Sequence, residues 1–183
     1  MNPLQAVHAV LDAAPGALYV SSLGTATSAL RAASDDGPHL YMGGAMGSAL
    51  AAAIGVAEKA TERDVVAILG DGETLMGAGS LWSLAGLRPP NLLVVILADG
   101  HYSITGGQGI GVPSAFAAIA ETLDLHADVA QTEDEVAESV RSLPRPGVLE
   151  IRFAEREWPG PSPFVDPPVV RWRFEANAVA RAE

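Results

Sequence analysis

Two runs of apolar residues in the middle of the chain each end at an aspartate that is followed by glycine. Residues 65–69 (VVAIL) lead into Gly70-Asp71-Gly72, and residues 92–97 (LLVVIL) lead into Ala98-Asp99-Gly100. Short runs that are apolar throughout are typical of strands buried on both faces of a parallel sheet. Residue 99 lies 28 positions after residue 71, which leaves room for a helical crossover between two parallel strands. The pattern therefore predicts neighbouring strands with an aspartate at each carboxyl end.

The rest of the chain alternates between extended and helical patterns, which predicts an α/β fold with three layers, α/β/α, around a mainly parallel sheet. We assign residues 1–153 to this domain. Further strands are predicted at residues 17–21, 39–42, 127–131 and 147–153. Helices are predicted at residues 2–13, 25–33, 48–60, 73–87, 114–123 and 132–143. Residues 99–113 carry five glycines and no periodicity, and a loop of this length is usually functional.

Residues 154–183 are predicted to form a C-terminal arm. Five prolines lie between residues 155 and 168, which favours an extended chain. The arm also contains more large aromatic residues than a free tail would, so we expect it to pack on the domain or on a partner subunit. These aromatic residues are Trp158, Phe164, Trp172 and Phe174.

Composition and charge exclude several classes of function. The chain has 183 residues and a formal net charge of −11, with Lys59 as its single lysine, so no basic patch could neutralise nucleic-acid phosphates. It has no cysteine, which excludes disulfides and thiolate chemistry. No basic and apolar leader and no membrane-length apolar segment is visible, so we expect a cytoplasmic protein without membrane association.

The central stretch resembles the cofactor-binding motif of thiamine diphosphate enzymes. The matching residues are Gly70-Asp71-Gly72 and Asp99, followed by Tyr102 and by Thr105-Gly106-Gly107-Gln108. This last segment is similar to the small subunits of sulfopyruvate and phosphonopyruvate decarboxylases. The resemblance covers roughly residues 17–153 and implies the thiamine diphosphate-binding fold, with thiamine diphosphate and Mg²⁺ as cofactors.

The resemblance also implies roles for individual residues. The metal would be held by the side chains of Asp71 and Asp99 and by the backbone carbonyl of His101, which suits the oxygen ligands of Mg²⁺. Diphosphate oxygens would accept hydrogen bonds from backbone N–H groups at a helix N-terminus. For His101, an acid–base role competes with a purely backbone role. The cofactor-binding residues implied in this stretch are Gly70, Asp71, Gly72, Glu73, Thr74, Asp99, His101, Tyr102 and Thr105.

A glycine-rich turn at residues 43–47 precedes the helix predicted at residues 48–60. By the same resemblance, Met46 would wedge under the cofactor, and the carbonyl of Gly44 would accept a hydrogen bond from its aminopyrimidine. The alternative interpretation is that Met46 is a core residue and that the glycines only begin a helix.

Three residues depart from the family pattern. Asp99 stands where the family prefers Asn, which adds negative charge beside an anionic diphosphate. Glu73 replaces a small residue, so its carboxylate should point away from the phosphates. Ile104 replaces a polar residue, which could alter the substrate side of the loop.

The implied activity is decarboxylation of a small anionic 2-oxo acid. The essential glutamate of such enzymes belongs to a pyrimidine-binding domain that this chain is too short to include, so we expect a pyrimidine-binding alpha subunit as an obligate partner. A catalytically degenerate regulatory or binding subunit and a carboligating enzyme remain alternatives. An unrelated nucleotide-binding module is disfavoured, because the chain lacks both G-x-G-x-x-G after its first strand and a Walker lysine.

Overall fold

The structure is a computed structural model that describes residues 1–35, 37, 39–154, 160–162 and 164–179. The strands are β1 (Leu18–Ser21), β2 (His39–Tyr41), β3 (Val65–Gly70), β4 (Leu92–Ala98), β5 (His101–Tyr102), β6 (Gln108–Gly109), β7 (His126–Ala130) and β8 (Gly147–Arg152). The helices are α1 (Pro3–Ala13), α2 (Thr25–Ala33), α3 (Ala49–Lys59), α4 (Asp71–Met76), α5 (Gly79–Leu87), α6 (Phe116–Thr122), α7 (Glu133–Ser142) and α8 (Pro167–Val179), with a 3₁₀ turn at Ser103–Thr105.

Six strands form one sheet in the order β2-β1-β3-β4-β8-β7, and every pair of neighbours in this sheet is parallel. The remaining strands, β5 and β6, pair antiparallel within the loop that follows β4. The predicted α/β class with a mainly parallel sheet is confirmed. The predicted strands differ from the observed ones by only one or two residues at their ends.

Helices cover both faces of the sheet, which explains why β3 and β4 are apolar throughout. Alternate side chains of a strand point to opposite faces. Val66 and Ile68 belong to a core that includes residues of α1, α2 and α7. Val65 and Leu69 belong to a second core that includes residues of α3, α5 and α6. Neither face of β3 or β4 is exposed to solvent, so both faces of these strands carry apolar residues.

The single helix predicted at residues 73–87 is wrong in one respect, because it is divided into α4 and α5. The break falls at Gly77, where the chain passes directly against the turn before α3. A β-carbon at Gly77 would collide with the carbonyl group of Gly47. This close approach requires glycine at residue 77 and separates α4, at the carboxyl end of β3, from α5.

The extended arm predicted after residue 153 is wrong for residues 167–179, which form α8. Proline is compatible with the first turn of a helix, so Pro167 and Pro168 begin this helix instead of preventing it. α8 packs near β2 through the buried Val170, and the Arg63 side chain donates a hydrogen bond to the Asn177 carbonyl at 3.0 Å. Trp158 lies outside the described residues, and the division of the chain at residue 153 stays a prediction.

Within the described ranges, no helix is both long enough and apolar enough to cross a lipid bilayer.

Candidate functional site

A cleft with an empty volume of about 620 Å³ opens at the carboxyl ends of β1, β3 and β4. In the strand order, β1 and β3 are neighbours, and the connection after β1 runs toward one edge of the sheet while the connection after β3 runs toward the other. Such a switch point creates a crevice at the carboxyl ends of parallel strands, where α/β proteins commonly bind ligands. The cleft is lined by Leu23, Gly24, Thr25, Met46, Gly70, Asp71, Gly72, Glu73, Leu97, Asp99, His101, Tyr102, Ser103, Ile104 and Thr105.

The fold brings most of the residues singled out in the sequence to this cleft, although they come from three separate segments. Gly44 and Thr74 are the exceptions, since neither belongs to the lining. Gly44 is exposed in the turn before α3. Thr74 is buried, and its hydroxyl donates to the Gly70 carbonyl at 2.8 Å, which stabilises the start of α4.

Asp71 is the most buried carboxylate of the cleft and lies at the junction of β3 and α4. Its Oδ1 accepts a hydrogen bond from the Gly72 N–H at 2.7 Å, and its Oδ2 accepts one from the Gly100 N–H at 2.6 Å. Burial raises the pKa of Asp71 to about 6, and the nearby Asp99 charge adds to this rise, although the hydrogen bonds oppose it. Among the described residues, no Lys or Arg lines the cleft, and the charge of His101 lowers the pKa of Asp71 by less than the charge of Asp99 raises it.

Asp99 organises the loop after β4. Its Oδ1 accepts from the His101 N–H at 2.9 Å, and its Oδ2 accepts from the Ser103 hydroxyl at 3.1 Å. The Asp99 backbone carbonyl lies 2.7 Å from His101 Nδ1. Because a carbonyl only accepts, this contact places a proton on Nδ1. Asp99 therefore holds the imidazole of His101 in one orientation.

A divalent cation fits this donor set. Asp71 and Asp99 line the same cleft, and the raised pKa of Asp71 shows that added positive charge would stabilise its ionised form. Across the described ranges, no group of three or more His, Asp or Glu side chains is arranged to hold a metal. A cation at this position would therefore need backbone and ligand oxygens besides the two carboxylates, as Mg²⁺ sites commonly do.

The carboxylate of Glu73 is turned toward the start of α3. Its Oε2 accepts a hydrogen bond from the Gly47 N–H at 2.6 Å, and its Oε1 accepts one from the Ala49 N–H at 3.0 Å. Both carboxylate oxygens of Glu73, a residue that departs from the family pattern, therefore accept hydrogen bonds from backbone N–H groups. This orientation agrees with the condition set from the sequence, that Glu73 should not direct its charge at phosphates.

Close contacts join the segments that line the cleft. A β-carbon at Gly72 would collide with the Tyr102 ring, so glycine at residue 72 lets the aromatic side chain lie directly against the start of α4. At the other wall, a β-carbon at Gly24 would lie 3.2 Å from Ile104 Cδ1. Glycine at residues 72 and 24 therefore lets the loop after β4 pack against the carboxyl ends of β3 and β1.

Sequence reasoning missed five residues of the lining. Three of them lie between the end of β1 and the first residue of α2, and the other two lie at the end of β4 and in the following loop. Because ligands bind at the carboxyl ends of parallel strands, the turn after the first predicted strand could have been included from the sequence. The missed residues are Leu23, Gly24, Thr25, Leu97 and Ser103, whereas Ile104, which the sequence singled out as a departure from the family pattern, does line the cleft.

Comparison with protein families identifies the class to which this fold and cleft belong. Residues 22–150 match the model of the thiamine pyrophosphate enzymes' C-terminal TPP binding domain. The matched segment contains β2 to β7 and most of β8, begins directly after β1, and includes the whole cleft lining. The chain belongs to this family of thiamine pyrophosphate-binding domains, and the resemblance seen in the sequence motif is confirmed.

Individual relatives agree with this assignment. The chain is 45% identical over 94 residues to phosphonopyruvate decarboxylase of Streptomyces hygroscopicus, a match that covers 51% of this chain and 23% of that protein. It is 32% identical over 155 residues to sulfopyruvate decarboxylase subunit beta of Methanothermobacter thermautotrophicus, covering 85% of this chain and 71% of the relative. The chain thus spans about a quarter of the phosphonopyruvate decarboxylase and most of the beta subunit.

A solved structure shows the same fold. The thiamine diphosphate-dependent 4-hydroxybenzoylformate decarboxylase of Rhodococcus jostii RHA1 superposes with a TM-score of 0.66 at 23% sequence identity. The superposition covers 86% of this chain and 33% of that one.

Proposed function

We propose that this chain is the diphosphate-binding subunit of a two-component thiamine diphosphate-dependent 2-oxo acid decarboxylase. One observation carries the proposal: Asp71 and Asp99 meet in a single cleft at the switch point of the sheet. The chain belongs to a thiamine pyrophosphate-binding family, and its relatives include decarboxylases.

The described residues suggest how the cofactor would be held. Asp71, Asp99 and the backbone carbonyl of His101 would coordinate Mg²⁺, and N–H groups at the start of α4 would face the diphosphate. The bound cofactor supplies the electron sink that a 2-oxo acid needs when it loses carbon dioxide. The chain's own part would be to hold the metal that neutralises the diphosphate and to orient the diphosphate, while Met46 and Tyr102 shape the walls of the cleft.

We further propose a small anionic 2-oxo acid, of the sulfopyruvate or phosphonopyruvate kind, as substrate. The names of the relatives support this class. Neither Lys nor Arg occurs among the described residues that line the cleft. A sulfonate or phosphonate group would therefore require a cation from another subunit, because a buried anion needs a partner.

We also propose that the chain forms a hetero-oligomer with an alpha subunit that carries the pyrimidine-binding part. One relative is itself a beta subunit. α4, which begins at the cleft, and the following α5 expose three large apolar side chains, and exposed apolar patches mark protein interfaces. These are Met76, Trp82 and Leu87, which are 63%, 58% and 56% exposed. A cytoplasmic location remains an expectation from the sequence.

The experiment is to co-purify the chain with a pyrimidine-domain partner and to titrate the complex with thiamine diphosphate by calorimetry, with Mg²⁺ or with EDTA. We expect Mg²⁺-dependent binding and release of carbon dioxide from sulfopyruvate or phosphonopyruvate. A complex that binds no cofactor would contradict the proposal.

The proposed interface is tested with Trp82→Glu, which should weaken subunit association about 100-fold, since buried tryptophans dominate interface energies. Glu138→Ala, on the exposed face of α7, is the matched control and should leave association unchanged.

The departure at Asp99 favours a second candidate, a subunit that keeps the fold without turnover. Asp99→Asn separates the two possibilities. In a working enzyme this substitution should change the metal dependence of carbon dioxide release, whereas in a non-catalytic subunit it should leave the absence of turnover unchanged.

A further inference from the structure

Helix α3 lacks an N-terminal cap from its own segment. Ser48 stands at the N-cap position, but its side chain makes no capping bond and its hydroxyl donates instead to the Ala45 carbonyl at 2.5 Å. The first N–H groups of a helix have no partner inside the helix, so another group must satisfy them. Here Glu73, from α4, accepts the first N–H of the helix, that of Ala49, at 3.0 Å, and also the N–H of Gly47 in the preceding turn at 2.6 Å.

The position of Glu73 makes this contact strong. The side chain is only 6% exposed, and a carboxylate removed from water is costly unless it is hydrogen-bonded. Two backbone donors and the positive end of the α3 dipole offset that cost, and hydrogen bonds to an ionised acceptor are stronger than neutral ones. The hydrogen bond from the Gly47 N–H to the Glu73 carboxylate therefore holds α4 and the turn before α3 together.

The turn that Glu73 holds is exposed and rich in glycine. Residues 43–45 are exposed, and Gly44 and Gly47, on either side of Met46, both have φ of +88°. The backbone hydrogen bonds within the turn run from the Ala45 N–H to the Met42 carbonyl at 3.1 Å and from the Ser48 N–H to the Ala45 carbonyl at 3.2 Å. α4 adds the bonds from Glu73 and the close approach of Gly77 to Gly47. Met46 lines the same cleft as Asp71, so the placement of this wall depends in part on contacts made by α4.

We propose that Glu73 is a positioning residue that fixes the distance between the two walls of the cofactor cleft, the Met46 turn and the Asp71 end of α4. This inference rests on the proposed function, because it concerns a ligand that touches both walls. Bound thiamine diphosphate would touch both walls, whereas inorganic pyrophosphate with Mg²⁺ would need only the Asp71 wall. Loss of Glu73 should therefore weaken binding of the complete cofactor selectively.

The test uses Glu73→Gln in the complex with the partner subunit. Glutamine keeps the shape but retains one acceptor oxygen, and its NH₂ group would face a backbone N–H donor. We expect thiamine diphosphate affinity to fall at least about tenfold, by calorimetry, while affinity for pyrophosphate with Mg²⁺ stays within about twofold. Hydrogen exchange without any ligand should show faster exchange of the Gly47 and Ala49 amides in the variant.

Glu150→Gln is the matched control, because Glu150 also caps a helix from a distance: its Oε2 accepts from the Ala117 N–H of α6 at 2.9 Å. Glu150 does not line the cleft. This variant should lose stability without changing the ratio of the two ligand affinities. Should Glu73→Gln fail to fold, Glu73→Asp, which keeps the charge but shortens the reach, should show the same selective loss.

Equal loss of both affinities would overturn the inference, because it would make Glu73 a general support of the site. Unchanged affinities and unchanged amide exchange would overturn it as well. Failure of the unmodified complex to bind thiamine diphosphate would instead contradict the proposed function. In that case faster exchange at Gly47 and Ala49 alone would still support the tie between α4 and the turn.

Discussion

Asp71, at the junction of β3 and α4, and Glu150, on β8, are both buried carboxylates, but the two regions around them differ in charge. Glu150, on β8, accepts hydrogen bonds from the Ala117 N–H at 2.9 Å and from Arg152 Nε at 2.7 Å. Burial alone would raise its pKa, but these hydrogen bonds and the Arg152 charge outweigh burial and lower the pKa. Asp71, at the end of β3, has two backbone donors and only a small opposing effect from the charge of His101, so burial raises its pKa to about 6.

The comparison separates a structural carboxylate from one prepared for a ligand. Around Glu150, the chain supplies all the positive charge that an ionised side chain requires. Around Asp71, the charge of a second carboxylate, Asp99, raises the pKa more than the charge of His101 lowers it. Keeping two like charges together in one cleft is unfavourable unless a bound cation compensates. The difference therefore supports the proposal that a bound cation completes the cleft.

The largest expected effect is on cofactor binding. Asp71→Asn removes the charge from the proposed metal site, and removing one member of a buried charged pair costs about 3–5 kcal/mol. We expect Mg²⁺-dependent thiamine diphosphate affinity of the complex to fall by more than about 100-fold in calorimetry. Glu150→Gln is the control and should change this affinity by no more than about twofold. Similar losses of thiamine diphosphate affinity in both variants would show that the regions around Asp71 and Glu150 do not differ in ligand binding.

The next effect concerns stability. Glu150→Gln leaves donors of Ala117 and Arg152 without a full set of acceptors, so the free energy of unfolding should fall by about 2–3 kcal/mol at pH 7.5. Because the folded-state pKa of Glu150 is lowered, its contribution is present above the ordinary value of 4.5 and is lost as the pH falls through the folded value. Urea unfolding at several pH values should therefore show wild type and variant converging in acid. A difference that grows in acid would contradict this account.

A third effect concerns the titration of Asp71. Without a cation, its carboxyl carbon should titrate near pH 6 in ¹³C NMR, and Mg²⁺ with thiamine diphosphate should lower the midpoint by at least about one unit. In the ligand-free protein, this raised pKa means that the favourable contribution of Asp71 to stability is complete below 3.8 and is lost as the pH rises through about 6. Asp71→Asn identifies the signal. A midpoint near 3.8 without ligand would show that the two regions do not differ.

The smallest expected effect comes from Arg152, whose side chain is about half exposed. Arg152→Met should make the surroundings of Glu150 resemble those of Asp71, because it removes the counter-charge but leaves the Ala117 donor. We expect the pKa of Glu150 to rise and the free energy of unfolding to fall by about 1 kcal/mol at pH 7.5. Arg152→Lys keeps the charge and should lose less. Equal losses in both variants would assign the effect to the shape of the guanidinium group instead of its charge.

The central strands were predictable because burial on both faces leaves no polar position in residues 65–69 and 92–97. The aspartate pair was predictable because parallel strands end at the same edge. The break between α4 and α5 was not, because it depends on the passage of Gly77 against Gly47. Nor was α8, since the prolines before it are equally compatible with an extended chain and with the first turn of a helix.

The sequence by itself determined the alternation of strands and helices, the two aspartates at strand ends and the family motif, because these depend on neighbouring residues and on periodicity. Only the tertiary structure decided which way Glu73 points and why one buried carboxylate is neutralised while another is not. These properties depend on donors that are distant in the sequence, such as Gly47 for Glu73 and Ala117 for Glu150. Local pattern cannot specify such pairs, because packing of the helices on the sheet brings them together.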